Sequence, residues 1–352
     1  MILKTTVAVF LFATTVSCTG PGMPPPLPDR SDAIIRGVNY VGISVSDLDK
    51  ATDFYTKPAD LKSVHDTVIK DSAVLDKLAA REGVAVQSRL LKSVNAQLRL
   101  MKFEHPSELA ASTPVEEIQG SGFSHVCFQA LKETNLYQHF LQAGGAPLGI
   151  LGMVQLNPRN PVDYAYLRDP DGTIFEVEHV DVAALDLETP PKNDYRLRHV
   201  AIATPDVDRA ANFYSVLLEE PDPRRVGGSG GFGGKKVDQL SGLSDAKIRM
   251  AWFQIRNVEF EIGQYLSHTP ETPDVARPLD ALGYNMVVFD VTSLDAAKEK
   301  LIEAGGTVVS EVEILDGGEI FFGRDPDLNL LGFQVLPAES AYSAKNFKDN
   351  GA

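Results

Sequence analysis

Two histidines and two glutamates are placed in the sequence where their side chains could bind a metal ion. His125 and His199 each fall within a predicted strand, as do Glu176 and Glu261, whose strands are otherwise rich in apolar residues. An unpaired carboxylate is costly to bury, so both glutamates need a partner. Imidazole and carboxylate groups are common ligands of divalent ions. The four side chains are thus of the types that bind divalent ions, and the alternative is that the histidines are ordinary strand residues of an inactive scaffold.

Two phrases of the sequence each occur once in either half of the chain. The first is an alternating strand followed by Asp and then Phe-Tyr, at 38–55 and again at 198–214. The second is Arg-Asp-Pro-Asp, at 168–171 and again at 324–327. Internal repeats indicate duplicated structural units, and 352 residues are enough for two domains.

Around these phrases the sequence predicts four units, each a strand, a helix and then further strands. Their first strands are expected at about 38–45, 124–129, 198–204 and 284–290. The helix of unit two is expected to end at Gly144-Gly145, an ordinary stop signal. A Pro-Pro-Lys-Asn stretch at 190–193 is predicted to be the interdomain linker.

Four βαβββ units carrying His-Val…Asp…Phe-Tyr and Asp-Pro-Asp-Gly…Glu phrases resemble the vicinal oxygen chelate superfamily, the glyoxalase, bleomycin resistance and extradiol dioxygenase type. The resemblance covers 37–337. It implies an α+β fold in which four βαβββ modules form two tandem glyoxalase-like domains with sheet-lined cups. Domain one would span 36–189 (modules one and two), domain two 195–338 (modules three and four), and a C-terminal tail 339–352.

The resemblance also implies that metal ligands come from the first and last strands of each module. Modules two and three fill these positions with His125 and Glu176, and with His199 and Glu261. In modules one and four the same positions hold residues that suit no divalent ion: Tyr40, Arg99, Met286 and Gly332. The resemblance therefore implies ligands in modules two and three only.

Which modules share a cup decides whether these ligands meet. If sequence neighbours pair, each cup holds one His and one Glu, too few for firm binding. If modules two and three pair across the linker, one cup gathers all four ligands, which resembles fused, monomeric glyoxalase I proteins. We expect this crossed arrangement in a monomer with docked domains, with one divalent ion per chain (Zn, Ni, Co, Mn or Fe) and none in the other cup.

Such a site could hold two adjacent oxygens of a small substrate and stabilise the enediolate formed when a carbon acid loses a proton. Glu176 or Glu261 would be the catalytic base. The expected function is a metal-dependent lyase, isomerase or epimerase of the glyoxalase type. The alternatives are a non-catalytic, antibiotic-type small-molecule binding protein and an Fe(II) extradiol-type dioxygenase, although such iron sites usually have one carboxylate.

The N-terminus predicts export to the cell envelope. Residues 1–18 contain Lys4 and an apolar run too short to span a bilayer. They end in Thr-Val-Ser-Cys, similar to a lipobox with Thr15 where Leu is usual, so Cys18 would carry a lipid anchor. The protein would then be bound to a membrane, facing the periplasm or exterior; a plain secretory signal is the alternative. Residues 19–35 predict a Pro-rich tether.

Charge and cysteine content limit the partners and the redox chemistry. A formal net charge of −15 argues against a nucleic-acid partner, which would need clustered Lys and Arg. If Cys18 is acylated, Cys127 is a lone thiol. It shares a strand face with His125, so it is either a small core residue or a residue lining the site.

A glycine-rich segment at 228–233 matches the dinucleotide fingerprint as a string of letters. It lacks the preceding strand and following helix that phosphate binding requires. We expect a flexible loop near the cup of module three, either a lid or an insertion.

Overall fold

The computed structural model describes residues 32–185 and 193–347. The predicted signal peptide, Cys18 and most of the tether lie outside these residues, as does most of the predicted linker. Within the two described ranges, no helix has the length and apolar character needed to cross a bilayer.

The first half of the chain contains two modules separated by a short helix. Module one consists of β1 (Ile35–Ser44), α1 (Leu48–Ala59), β2 (Lys62–Ile69), α2 (Ala73–Leu78), β3 (Val86–Lys92) and β4 (Gln97–Phe103). After α3 (Glu108–Ser112), module two consists of β5 (Gly122–Leu131), α4 (Leu136–Gln142), β6 (Ala146–Pro147), β7 (Val162–Arg168) and β8 (Ile174–Val180), followed by α5 (Val182–Leu185).

The second half repeats this order. Module three consists of β9 (Tyr195–Ala203), α6 (Val207–Leu217), β10 (Arg224–Val226), β11 (Phe232–Gly233), α7 (Lys235–Ser241), β12 (Lys247–Gln254) and β13 (Glu259–Tyr265). Module four consists of β14 (Gly283–Val291), α8 (Leu294–Glu303), β15 (Thr307–Val308), β16 (Glu313–Leu315), β17 (Gly318–Arg324) and β18 (Leu330–Val335). The expected α+β fold of four repeated modules is confirmed.

The first repeated phrase encodes a strand end and a helix start. Asp47 precedes α1, and its side chain accepts a hydrogen bond from the Lys50 backbone N–H (2.9 Å). Asp206 holds the same place before α6 and accepts from the N–H groups of Asp208 and Arg209. Such caps satisfy N–H groups that have no partner within the helix.

Each sheet takes one module from each half of the chain. Modules two and three form one sheet in the order β10-β12-β13-β9-β5-β8-β7-β6, with β11 beside β12. Modules one and four form the other in the order β15-β17-β18-β14-β1-β4-β3-β2, with β16 beside β17. The first strands meet antiparallel, β5 with β9 and β1 with β14. The crossed pairing expected from the sequence is therefore confirmed, and we name the sheets the two-three cup and the one-four cup.

Helices α1 and α6 each contact the other module of their own half of the chain. Residues of the two repeated phrases form these contacts. The Tyr55 hydroxyl of α1 donates to Asp169 Oδ2 in the last turn of module two (2.7 Å). In the second half, the Tyr214 hydroxyl of α6 donates to Asp325 Oδ2 (2.8 Å). Burial raises the pKa of both carboxyl groups to about 6. The main apolar core surrounds these contacts and contains residues from both sheets.

Candidate metal centre

The strand register places the ligand positions of all four modules equivalently. Glu176 and Glu261 each pair with the residue two positions after the first-strand histidine of their module. Arg99 and Gly332 hold the same register position in modules one and four. Because residues two apart on a strand share a face, each His and Glu pair projects into the same cup.

The four predicted residues converge in the two-three cup. His199 Nε2 lies 3.0 Å from Glu176 Oε2 and 3.7 Å from Glu261 Oε2. His125 Nε2 lies 3.6 Å from an oxygen of each carboxylate and 3.1 Å from His199 Nε2. Ligand atoms at about 2.0–2.2 Å from one ion are separated by roughly 3 to 3.6 Å. The separations of the two imidazoles from each other and from either carboxylate are close to this range, and His125, His199 and Glu261 form one buried group able to hold an ion.

Neighbouring side chains orient part of this set. Ser124 Oγ and His125 Nδ1 are hydrogen-bonded (2.9 Å), which directs Nε2 of that ring toward the centre. The Trp252 indole N–H donates to Glu261 Oε2 (2.5 Å). Among the described residues, Glu176 meets the two imidazoles but accepts no hydrogen bond from any further residue. Second-sphere contacts of this kind hold ligands in place, so Glu261 is the more firmly fixed carboxylate.

The electrostatics of the centre favour positive charge. Burial opposes ionisation of Glu176, yet hydrogen bonds and charge from His125 and His199 hold its pKa below its usual range. Burial also opposes the charged form of His199, but Glu261 and Glu176 raise its pKa to about 9. A proton on His199 therefore balances the charge of the two carboxylates, as a bound divalent ion would otherwise do.

The centre lies in the wall of a cavity of about 310 Å³. Most of the other lining residues are aromatic or aliphatic: Ile118, Leu156, Tyr164, Tyr166, Ile202, Val226, Phe232, Val237, Leu240, Ile248, Met250, Trp252 and Tyr265. Asn157, Asn160, Arg198 and Arg224 add polar groups. A largely apolar cavity with a few polar groups and a cluster of ligands is a typical small-molecule site.

A buried ion pair beside the centre was missed by the sequence analysis. Arg198 Nη1 lies 2.5 Å from Glu178 Oε1, and its Nε lies 3.4 Å from Glu259 Oε2. Strand alternation offered a signal, because Glu178 is two residues after Glu176 and Glu259 two before Glu261. No comparable local signal marks Trp252, Arg198 or Arg224, whose positions depend on which strands pair.

Cys127 belongs to the core. Its thiol lies close to Glu176, Glu178 and His199, a grouping that could in principle hold an ion. Glu178, however, is already bound by Arg198 (2.5 Å) and by the Gln129 side chain (2.5 Å). Cys127 is fully buried, does not line the cavity, and has a thiol pKa raised by that burial. Of the two roles considered, the small core residue is the one found.

The glycine-rich segment forms a turn. Gly227 and Gly231 have φ values of +101° and +69°, which favour glycine. A Cβ on Gly227 would lie 2.6 Å from the Ile248 carbonyl oxygen. The turn joins β10 to β11 against β12, whereas a Cβ on Gly228 or Gly230 would meet no neighbouring atom. That this segment is a flexible loop, either a lid or an insertion, stays a prediction.

The one-four cup is filled where the two-three cup is open. The buried Arg99 donates to Asp316 Oδ2 (2.7 Å), to the Tyr40 hydroxyl (3.0 Å) and to Ser88 Oγ (2.8 Å). Its guanidinium carbon also lies 4.8 Å from the centre of the Tyr342 ring. The sequence analysis found no carboxylate in this cup, but Asp316 enters from the turn between β16 and β17. Arg99 neutralises it.

Packing closes the remaining ligand positions of this cup. A Cβ on Gly332 would lie 2.8 Å from a methyl carbon of Val288, so a glutamate would not fit there without rearrangement. Met286 is buried in the apolar cluster of the cup, together with Leu336 and Tyr342 from the chain after β18. The predicted tail, from residue 339, thus places Tyr342 in this cup, and Arg256 of module three then holds the backbone carbonyls of Ala344 and Phe347.

The sequence matches a known protein family. The sequence model of the Glyoxalase/Bleomycin resistance protein/Dioxygenase superfamily matches residues 37–177 and 196–333. The chain belongs to this superfamily. Its two matched segments are tandem glyoxalase-like segments, and each of the two curled mixed sheets takes one module from either segment.

Solved structures of the superfamily share the fold at low sequence identity. Glyoxalase I from Zea mays is 16% identical, with a TM-score of 0.56, over 85% of this chain and 92% of that chain. A Bacillus subtilis protein provisionally assigned as a dioxygenase is 12% identical, with a TM-score of 0.55, over 86% of each chain. No curated protein matches the chain. At these identities the similarity shows the fold alone.

Proposed function

We propose that this chain is a metal-dependent lyase, isomerase or epimerase of the glyoxalase type, acting on a small substrate with two adjacent oxygens. The observation that carries the proposal is the convergence of His125, Glu176, His199 and Glu261 in the wall of an open cavity. A bound divalent ion (Zn, Ni, Co, Mn or Fe) would act there as a Lewis acid on the substrate oxygens.

The two glutamates have different surroundings, and this supports different roles. One oxygen of Glu261 is tied to the Trp252 indole, which suits a permanent ligand. Both glutamates line the cavity, but Glu176 has no such anchor, which suits a base. Glu176 would take a proton from a substrate carbon and return it to the neighbouring carbon; in an epimerase, a second acid on the opposite face would give a proton to the same carbon while Glu176 keeps the one it took. Neither route needs an oxidant or a reductant.

Two tyrosines on the cavity wall could stabilise the oxyanion formed in this step. Tyr166 and Tyr265 line the cavity close to both glutamates. Burial, together with the charges of Glu176 and Glu261, raises the pKa of both hydroxyls above the usual range. Both therefore stay protonated and can donate hydrogen bonds to a substrate oxygen.

Metal analysis of protein purified without chelator is the first test, with an expected content of one ion per chain. The metal-loaded chain is then incubated with dihydroxyacetone in D2O, and NMR follows exchange of the carbon-bound protons. We expect exchange, and its loss in Glu176→Gln under conditions where that variant is still metal-loaded. Bound metal without proton exchange across a panel of hydroxyketones would favour the alternative of a non-catalytic small-molecule binding protein. Bound iron with oxygen consumption on catechols would favour the dioxygenase. Failure to bind any divalent ion would overturn the proposal.

We further propose that the protein is anchored in the cell envelope through a lipid on Cys18. The supporting observation is the lipobox-like Thr-Val-Ser-Cys sequence before a Pro-rich stretch. A lipoprotein carries several acyl chains, which together give stable anchoring. Cys18→Ala should move the protein from the membrane fraction to the soluble envelope fraction, and unchanged partitioning would contradict the anchor.

A further inference from the structure

Arg224 extends a row of side chains that begins at the candidate metal centre. Strand β10 pairs Arg224 with Trp252 of β12, and β12 pairs Trp252 with Glu261 of β13. Directly paired residues on neighbouring strands project to the same face of a sheet. The contacts agree, because the Arg224 guanidinium carbon lies 4.0 Å from the Trp252 ring centre, and the same indole donates to Glu261. One indole ring therefore separates Arg224 from a candidate ligand.

The hydrogen-bonding capacity of Arg224 is unused within the described residues. Its nearest carboxylate oxygen is Glu259 Oε2 at 3.7 Å, and that oxygen also faces Arg198 Nε at 3.4 Å. Arg198, by contrast, is held at 2.5 Å by Glu178. The Arg224 side chain is 45% exposed and lines the cavity. Arg224 is thus a cation on the cavity wall whose N–H donors are available to a ligand.

The shape of the guanidinium suits a carboxylate. The Arg224 guanidinium carbon is held 4.0 Å from the Trp252 ring centre, and its planar fork of N–H groups can meet both oxygens of a carboxylate. We propose that Arg224 forms a carboxylate subsite, so that the substrate carries a carboxylate at one end and vicinal oxygens at the other. The apolar part between them would pack on the aromatic wall of the cavity. This inference rests on the proposed function, because the candidate metal centre would hold the vicinal oxygens.

A matched pair of probes tests the subsite in the full chain. Catechol and 3,4-dihydroxybenzoate present the same vicinal oxygens, but only the second carries a carboxylate. Zinc, which is redox-inert, is the metal probe, and calorimetry measures zinc binding first and then each organic probe. We expect 3,4-dihydroxybenzoate to bind the zinc-loaded chain at least about tenfold more tightly than catechol, the strength of one charge-assisted hydrogen bond.

Three variants test whether the charge, the planar shape and the position of the Arg224 side chain each contribute to binding of the carboxylate. Arg224→Met should remove the preference for 3,4-dihydroxybenzoate while leaving zinc and catechol affinity unchanged, and Arg224→Lys should retain part of it. Arg225→Met is the matched control, because Arg225 is the next residue of the same strand and faces away, toward Asp208 (3.2 Å). It should leave all three affinities unchanged. Circular dichroism and thermal melts confirm that each variant folds.

Failure of this inference differs from failure of the proposed function. Zinc binding with equal affinity for both probes would overturn the carboxylate subsite and leave the metal centre standing. Absence of zinc binding, with a preference for 3,4-dihydroxybenzoate that still depends on Arg224, would overturn the metal centre alone. A preference for 3,4-dihydroxybenzoate that survives Arg224→Met would place the carboxylate elsewhere in the cavity and also overturn the subsite.

Discussion

The two cups have the same strand order and the same register but opposite contents. In the two-three cup, four ligand-type side chains surround a point beside an open cavity. In the one-four cup, Arg99 takes the register position of a ligand glutamate and pairs with Asp316 (2.7 Å) among packed aromatic rings. Both arrangements place positive charge between buried acceptors. The difference is that the positive charge of the one-four cup belongs to a side chain of the protein, so Asp316 needs no exchangeable ion.

This comparison suggests how a cup of this family can change from a binding site into a structural element. A buried carboxylate needs a cationic partner, whether that partner is an ion, a protonated imidazole or a guanidinium. Once an arginine supplies the charge and a chain segment fills the space, no exchangeable ligand is required. The two cups should therefore respond differently to equivalent substitutions.

The largest expected effect is loss of metal binding. Second-sphere changes lower metal affinity about 10- to 100-fold, so loss of a direct ligand in His199→Ala should lower zinc affinity about 1,000-fold or more. The matched control is Tyr40→Phe, at the equivalent first-strand ligand position of the one-four cup. It should leave zinc affinity unchanged. Titration against a competing chelator measures both. A wild-type stoichiometry near two ions per chain would contradict the proposed difference between the cups, because the one-four cup would then bind metal.

The second prediction concerns the stability of the one-four cup. Asp316→Ala leaves Arg99 buried without its carboxylate and should lower the free energy of unfolding by about 3 kcal/mol. Replacing both partners, as Arg99→Met with Asp316→Asn, should recover most of that loss, because asparagine tolerates the left-handed backbone of this position (φ +59°). Urea denaturation measures each variant, with Asp53→Ala, which breaks the exposed pair with Lys57, as the control.

Zinc affinity should stay unchanged in all of these variants that fold. If Asp316→Ala destabilised the protein no more than Asp53→Ala, the buried ion pair would not be the structural counterpart of the metal centre.

The third prediction uses a feature that is alike in both halves, the tyrosine–aspartate contacts. Burial raises the folded-state pKa of Asp169 to about 6, above the value near 4 expected in the unfolded chain. The protonated carboxyl group is therefore favoured by folding. Its contribution to stability is fully present below pH 4 and is lost as the pH rises to 6, by about 2 kcal/mol.

Asp169→Asn cannot ionise, and its stability relative to wild type should rise by this amount between pH 4 and pH 7. Asp169 is the better site for the substitution, since the Asp325 Oδ2 also accepts from the Asn329 amide (2.8 Å). Denaturation curves across this range measure the difference. A constant difference between variant and wild type would show that the carboxyl group titrates as it does in the unfolded chain.

The smallest expected effect distinguishes two equivalent positions within the two-three cup. Trp252 pairs with Glu261 across the sheet, and Tyr166 pairs with Glu176 in the same way. Only the indole donates a hydrogen bond to its glutamate. Trp252→Phe should therefore lower zinc affinity about tenfold, whereas Tyr166→Phe should leave it unchanged. Equal effects would mean that the two glutamates are held equivalently.

Much of this architecture follows from local patterns in the sequence. The repeated phrases predict the four modules because Asp47 and Asp206 cap helices and because Asp169 and Asp325 close turns. Ligand positions could be carried from module to module because strand alternation fixes which side chains share a face. The crossed pairing was expected because only modules two and three carry complete ligand pairs.

What the sequence analysis missed depends on contacts through space. Trp252 meets Glu261 only because β12 and β13 pair in one particular register. Asp316 reaches Arg99 from a turn of module four, far from any ligand position. The composition of the glycine-rich segment likewise gives no indication that Gly227 and Gly231 lie against Ile248. Neither propensity nor spacing encodes such neighbours.

Crossed pairing also has a consequence for the order in which the molecule assembles. In the two-three cup, the paired residues His125 and His199 are 74 residues apart in the chain. In the one-four cup, the paired residues Arg36 and Asp290 are 254 residues apart. Contacts that span shorter stretches of chain form faster. We expect the two-three cup to close before the one-four cup, whose module one must wait for module four at the other end of the chain. The cup that holds the candidate metal centre would therefore form first, and the first strand of the chain would be among the last to pair.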